Sequence, residues 1–356
     1  MSEAPSLEDL LEAHRREFGG SLAETVEGVR RLSAMFHGRL PLRPGYLAEG
    51  RLRRAYVQYY LPVNAAKVGR VLDELETYAL LPQRPRVLDF GCGPGTASIA
   101  LLRRRPGADL WLVDVVEEAL EDARFFARLL GVEPRAGPEP PRGMTFDLIL
   151  AANVFTEVRR DLEGHLAEGG FLVVLEPALP AAARRLMEWR ERMAAGGFRV
   201  AAPCLGRARC PMREHPDLWC HEDVPWPRPS FVARTDERLG WSKETLKYAY
   251  AVVTRGGGAL ADGPATHRVV SNLHREKGKA WAWVCGREGP LCRIEVLTRH
   301  RSRETGDFFR ASRGDLLQME ASGCRVRSEG PVRRVRPSAA GPGGGINRFT
   351  PPRGLL

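Results

Sequence analysis

An α/β fold built on a doubly wound, Rossmann-like parallel sheet is what this sequence predicts, and three observations predict it. A short apolar run, Arg86 to Phe90, leads into a glycine-rich stretch, Asp89-Phe90-Gly91-Cys92-Gly93-Pro94-Gly95. A second apolar run, Asp109 to Val113, stops at Asp114. Two more, Asp147 to Ala152 and Gly170 to Pro177, follow at the spacing that intervening helices require.

Arg86 to Phe90 suits a buried parallel strand, and Thr96 to Arg103 reads as the helix after it, so the glycines lie on a strand-to-helix turn. Gly91, Gly93 and Gly95 allow close backbone approach, which leaves free amides to face a bound carboxylate or phosphate. Asp114, at the end of the second strand, is placed to hold both hydroxyls of a ribose. A nucleoside ligand is therefore expected. The nicotinamide fingerprint is G-x-G-x-x-G, whereas here an acid precedes the glycines and no lysine or arginine lies inside the loop. An acid suits an ammonium and sulfonium ligand better than a pyrophosphate, which favours S-adenosyl-L-methionine. The cofactor-binding candidates are Asp89, Gly91, Gly93, Gly95, Asp114 and, at the end of the fourth strand, Asn153. No catalytic residue is assigned. Asn153 is followed by Val154-Phe155-Thr156 rather than by the Pro-Pro-aromatic sequence of amino-methylating enzymes, and no thiol stands where a cytosine C5 enzyme needs one.

Seven cysteines, an odd number, in a chain of 356 residues that opens without an apolar signal segment, predict a reduced cytoplasmic protein rather than a disulfide scaffold. Cys204, Cys210 and Cys220 fall within 17 residues rich in proline and charge. Thiolates gathered in an irregular loop are a means of holding zinc or an iron-sulfur cluster, and the spacing alone does not choose between them. For a fourth ligand, His215 and His221 stand beside them. Cys285 closes the first strand of an expected hairpin, Ala280–Cys285 with Leu291–Val296, joined at Gly286 to Pro290. Cys292 reads as a strand residue facing a core and Cys92 as a packing residue; Cys324 lies further downstream.

The formal charge is +10 and the isoelectric point near 9.6, compatible with a phosphate-rich partner. Of 54 basic residues only five are lysine. Arginines concentrate between Arg293 and Arg336, including Arg299, Arg301, Arg303, Arg325, Arg327, Arg333 and Arg334, and this stretch is expected to face RNA. No apolar run is long enough to cross a membrane. The expected organisation is an N-terminal helical region (1–80), with helices from Ser6 to Arg16, Leu22 to Phe36 and Val63 to Tyr78. A methyl-donor domain (81–200) follows, with a proline-rich loop at Glu133 to Arg142. Next come a cysteine-rich metal segment (201–235), with Pro225, Pro227 and Pro229 read as coil, a mainly β basic region (236–336) with a mobile loop at Gly256 to Pro264, and a disordered tail (337–356).

Arg54-Ala55-Tyr56 through Leu61-Pro62, Val87 to Gly95, Leu175-Glu176-Pro177, Ala202-Pro203-Cys204, Cys210-Pro211 and Asp217-Leu218-Trp219-Cys220-His221 together resemble the methyltransferase-like small-ribosomal-subunit proteins. These occur in mitochondria as ribosome assembly factors and also in bacteria. The resemblance runs from about residue 50 to about 320. It implies a class I S-adenosylmethionine-dependent methyltransferase fold carrying a four-iron four-sulfur cluster on Cys204, Cys210, Cys220 and Cys285, with zinc as the alternative. It also implies a monomer that binds the small ribosomal subunit and its rRNA, either as an assembly factor without catalysis or as an active rRNA methyltransferase. The family's acid, aromatic and glycine pattern is only loosely present at Arg313-Gly314-Asp315, so the last region is expected to diverge.

Overall fold

Two sheets organise the chain, and the computed structural model describes residues 4–155, 161–206, 209–287, 291–303, 305–319, 325–327 and 332–335. The first sheet holds β1 (Arg86–Phe90), β2 (Asp109–Val113), β3 (Arg135–Gly137), β4 (Phe146–Ala152), β5 (Leu166–Pro177), β6 (Arg199–Ala202), β7 (Glu222–Pro225) and β8 (Thr245–Thr254). Its order is β3-β2-β1-β4-β5-β8-β6, with β7 also paired to β8. Strands β1 to β5 run parallel, and β8 runs antiparallel to its neighbours. Val87, Leu148 and Leu150 face one core, while Leu88, Ile149 and Ala151 face another. Burial on both faces is why these strands read as unbroken apolar runs rather than as alternating ones.

The helices are α1 (Leu7–Phe18), α2 (Leu22–Phe36), α3 (Gly50–Ala55), α4 (Leu61–Thr77), α5 (Thr96–Leu102), α6 (Glu117–Leu129), α7 (Pro180–Ala195) and α8 (Ser230–Leu239). Capping boxes of Ser6 with Asp9 and Ser21 with Glu24 start the first two. Helices α1, α2, α4, α5 and α6 share one core with the sheet, and α7 covers the opposite face through Leu186, Trp189 and Met193. Between α3 and α4 the backbone forms a π-helical turn, Tyr56–Tyr60. Tyr59 of this turn donates to Asp236 of α8 at 2.5 Å, which clamps the N-terminal helices to the far side of the chain.

The second sheet comprises β9 (His267–Val269), β10 (His274–Glu276), β11 (Lys279–Gly286), β12 (Leu291–Leu297), β13 (Leu316–Met319), β14 (Arg325–Arg327) and β15 (Val332–Arg334). The expected hairpin is its β11–β12 pair, and Val269, Ala282, Val284, Ile294, Phe308 and Leu317 fill its core.

Several boundaries differ from the sequence reading. Tyr248 to Val253 opens no new β region, because β8 completes the first sheet, so the divisions at 200 and 235 cut through that sheet. Helix α8 starts directly after Pro229, which occupies its N-cap position, where the missing amide costs nothing. A short strand, β3, lies inside the proline-rich loop. The Gly256 to Pro264 segment is anchored: Leu260 is buried in the main core, and Arg199 bonds Gly257 and Asp262. The tail 337–356 and Cys324 lie outside the described residues.

One buried cation ties these parts together. Arg268 of β9, 6 % exposed, donates to Glu74 of α4 at 2.7 Å and to Glu222 of β7 and Tyr250 of β8 at 3.0 Å each. Replacing it with methionine would strand two carboxylates, so Arg268→Met should lose about 3–5 kcal/mol in guanidinium unfolding. A loss under about 0.5 kcal/mol would show that the cation is dispensable.

Candidate functional site

A cavity of about 450 Å³ opens at the carboxyl ends of β1, β2 and β4, a volume suited to a nucleoside-sized ligand. Asp89, Gly91, Gly93, Asp114 and Asn153 all line it, together with Tyr56, Thr96, Val116 and the Leu42 to Leu47 strap. Gly91 and Gly93 have positive φ, 62° and 51°. At Gly91 a Cβ would also lie 2.3 Å from Val154, so space and backbone both require glycine there. Gly95 is placed differently: it starts α5 and packs on Ala123 of α6, which makes it a helix-packing residue outside the cavity lining.

The polar groups of this cavity form a pattern. Both oxygens of Asp114 accept backbone amides, from Gly93 at 2.8 Å and Val116 at 3.0 Å, which fixes the carboxylate while leaving it lone pairs for further donors. Asp89 accepts from the amide and hydroxyl of Ser98 through Oδ2, whereas its Oδ1 is buried with no partner. Thr96 Oγ1 and Asn153 Nδ2 are likewise buried and unpaired. Three orphaned polar atoms around one cavity are what a polar ligand would satisfy. Desolvation raises Asp89 to about 7, against the Ser98 hydrogen bonds that lower it. A ligand cation would favour its charged form, so the residues present fit an ammonium-bearing donor. Asn153 adopts φ 59°, turning the chain at the end of β4. Glu176 does not reach the cavity: it is fully buried beneath that turn and accepts from the Phe155 amide at 3.0 Å.

Cys204, Cys210, Cys220 and Cys285 line a second cavity, between α7, the segment after β6 and the second sheet. Arg190 and Arg268, 4 % and 6 % exposed, line it too. Cys292 points into the second sheet's core instead, because it pairs with Val284 while Cys285 pairs with Leu291, and neighbours along a strand face opposite sides. His221 stacks on Trp219 and His215 is exposed, and neither lines the cavity. Among the described residues no group of three or more His, Cys, Asp or Glu is arranged to hold a metal ion. Neither the expected four-iron four-sulfur cluster on these cysteines nor the zinc alternative is therefore shown. Burial pushes the Cys210 thiol up to about 11 and raises Cys220 and Cys285 as well, so metal uptake here would have to release protons.

The family model described as mitochondrial small ribosomal subunit Rsm22 matches residues 145–317, and one described as methyltransferase domain matches residues 57–203. Over residues 145–317, just under half of its length, the chain matches this methyltransferase-like small-ribosomal-subunit family. Its fold is that of class I S-adenosylmethionine-dependent methyltransferases. A ribosomal RNA small subunit methyltransferase C of Citrobacter koseri is 28 % identical over 163 residues, 44 % of this chain and 44 % of that protein. The biotin biosynthesis bifunctional protein BioCD of Bordetella avium is 33 % identical over 131 residues, 35 % of this chain and 27 % of that one. The chain thus spans less than half the length of these curated relatives. A methyltransferase structure from Thiobacillus denitrificans, in complex with S-adenosyl-L-homocysteine, overlaps 61 % of this chain and all of its own, at 15 % identity and a TM-score of 0.36.

Sequence reasoning missed Tyr56, Thr96, Arg190 and Arg268. The π turn that delivers Tyr56 has no local signature, and both arginines are isolated cations on elements, α7 and β9, that the sequence reading did not single out. Arg313-Gly314-Asp315 turns out to be a docking turn: Arg313 donates to the carbonyls of His221 and Val270, joining the second sheet to the cysteine segment.

The raised Asp89 predicts how donor affinity depends on pH. Below about 7 the carboxyl is neutral in the free protein, so binding a cation must expel a proton, and affinity should fall by up to about tenfold per pH unit. Above 7 it should be flat. In the free protein Asp89 favours folding fully below 3.8 and loses that contribution as pH rises through about 7. Calorimetric titration of S-adenosyl-L-methionine from pH 5.5 to 8.5 tests this, and Asp89→Asn should bind weakly with a level profile. An unchanged slope in that variant would rule Asp89 out.

Proposed function

We propose that this protein is an S-adenosylmethionine-dependent methyltransferase acting on small-subunit ribosomal RNA. The observation that carries the reading is the donor cavity, with its unpaired Asp89 oxygen beside the amide-anchored Asp114. Asp89 would hold the donor's ammonium and Asp114 its ribose hydroxyls, while Gly91 and Gly93 let the backbone close on them. When bound, the donor supplies an electrophilic methyl group. Asn153, on its left-handed turn, would orient polar atoms at the cavity's β4 side. The rRNA substrate is supported by the small-subunit family and by relatives that carry an rRNA methyltransferase name. An assembly role without catalysis would use the same donor site; the enzymatic reading is preferred because relatives carry an rRNA methyltransferase name.

A second proposal concerns the cysteines. We infer that Cys204, Cys210, Cys220 and Cys285 hold a four-iron four-sulfur cluster, with Arg190 offsetting part of its negative charge. One zinc needs its sulfurs about 2.3 Å from a common point, whereas a cluster takes each sulfur at a separate corner and tolerates a wider quartet. What supports the reading is that the four cysteines line one cavity beside the buried Arg190.

Two measurements separate these proposals. Small subunits from a strain lacking this protein should accept labelled methyl from S-adenosyl-L-methionine in the presence of the purified protein, releasing S-adenosyl-L-homocysteine, and Asp114→Ala should abolish transfer. Absence of transfer to naked rRNA, immature and mature subunits alike would overturn the enzymatic reading. Anaerobic purification should give about four irons and four sulfides per chain with a broad visible absorption. About one zinc and no chromophore would refute the cluster.

A further inference from the structure

The wetter face of β11 carries Lys279, Trp281, Trp283 and Cys285, alternating with the buried Ala280, Ala282 and Val284. Trp283 packs against the cluster of Met187, Met212, Val270 and Leu291, whereas the half-buried Trp281 joins none of the buried clusters among the described residues and calls for an explanation. Trp281 is the middle of a ladder across three strands. The ring of His274, its cross-strand partner on β10, lies parallel to the indole at 3.9 Å and 11°, and the Arg293 guanidinium of β12 sits 4.1 Å from the indole centroid. The indole is held from rotating by its Nε1 hydrogen bond to Glu276, 2.6 Å.

This ladder ends in the open. Strand β10 pairs with β11, and no strand among the described residues pairs with its other edge. His274 is exposed there. The surroundings are cationic: the turn from His274 to Trp281 carries Arg275, Lys277 and Lys279 against one acid, Glu276. The Thr298 amide donates to the Gly278 carbonyl at 2.8 Å, which brings the exposed Arg299, Arg301 and Arg303 alongside the same turn. Lys279 is taken up by Glu276 and Glu295, so Lys277 and the three arginines are the cations this corner offers to an incoming anion.

We propose that this corner binds a single-stranded RNA segment, one base extending the stack beyond His274 and the adjoining phosphates lying against Lys277, Arg299 and Arg301. Aromatic faces beside a basic track are how a flexible strand is held without sequence readout. The choice of RNA rests on the proposed rRNA substrate and on the stack itself: an acidic peptide would use the cations and leave the ring face idle. The site is remote from methyl transfer in its residues, none of which lines the donor cavity.

The test is anisotropy of a labelled single-stranded RNA of about 12 nucleotides with the full-length protein across a salt series. His274→Ala should weaken binding roughly 5- to 100-fold and His274→Tyr should restore it. Combining Lys277→Gln, Arg299→Gln and Arg301→Gln should flatten the salt slope by about two units. Two results overturn the proposal: a parent that does not bind the RNA, or a His274→Ala variant that binds as the parent does. Displacement by poly-glutamate at matched charge, with no effect of His274→Ala, would assign the corner to an acidic protein instead. Because these variants leave the donor cavity intact, the labelled-methyl assay judges the enzymatic reading independently of these results.

Discussion

A single guanidinium, buried where the two sheets meet, is the constraint on which the rest of this molecule depends. Burying a cation is unfavourable unless anions and hydrogen bonds surround it. Arg268 meets that condition by drawing partners from elements far apart in the chain: Glu74 on a helix of the N-terminal region, Glu222 in β7 just after Cys220 and Tyr250 in the last strand of the donor sheet. It also accounts for the close approach at Gly314, where a Cβ would lie 2.8 Å from the Glu222 carboxylate. The same guanidinium lines the cysteine cavity, so the electrostatic centre of the fold and the proposed metal centre share a wall.

The donor cavity works on the opposite principle. There the chain leaves polar atoms buried without partners, on Asp89, Thr96 and Asn153, and holds Asn153 in a backbone conformation few side chains adopt. Such features cost stability in the free protein and are recovered when a ligand supplies the missing bonds. Two buried polar environments thus sit on one sheet, one closed by the protein and one left open for a small molecule.

How much of this was legible in the sequence follows from how local each signal is. The bounds of α2 were readable because Ser21 and Glu24 form a capping box and Phe36 ends the apolar pattern. The run from Val87 to Phe90 was readable because both its faces are buried. Sheet membership is not local: Tyr248 to Val253 reads as a strand in either sheet, and only the pairing of Val252 with Val173 decides. Pro229 was read as coil, although a proline before a helical stretch is equally a start signal. At the cysteines, the turn after Cys285 and the core-facing reading of Cys292 were legible, but nothing along the chain announced Arg190 beside Cys285. Gly95 shows the limit of a motif: its positive φ is real, yet it serves the contact with Ala123 rather than a ligand.

Strand β8 lies between β5 and β6, although it follows both in the chain. A later strand must therefore be inserted beside β5 and take β6 on its outer edge, and the whole cysteine segment is the connection that carries it there. Until that connection has found its path, the hydrogen-bonding edge of β5 stays uncovered and Val173 to Leu175 have no neighbour on that side. The order of assembly is thereby written into the topology. The cysteine segment thus holds the sheet closed, and a change in it that displaced β8 would leave β5 with an open, aggregation-prone edge.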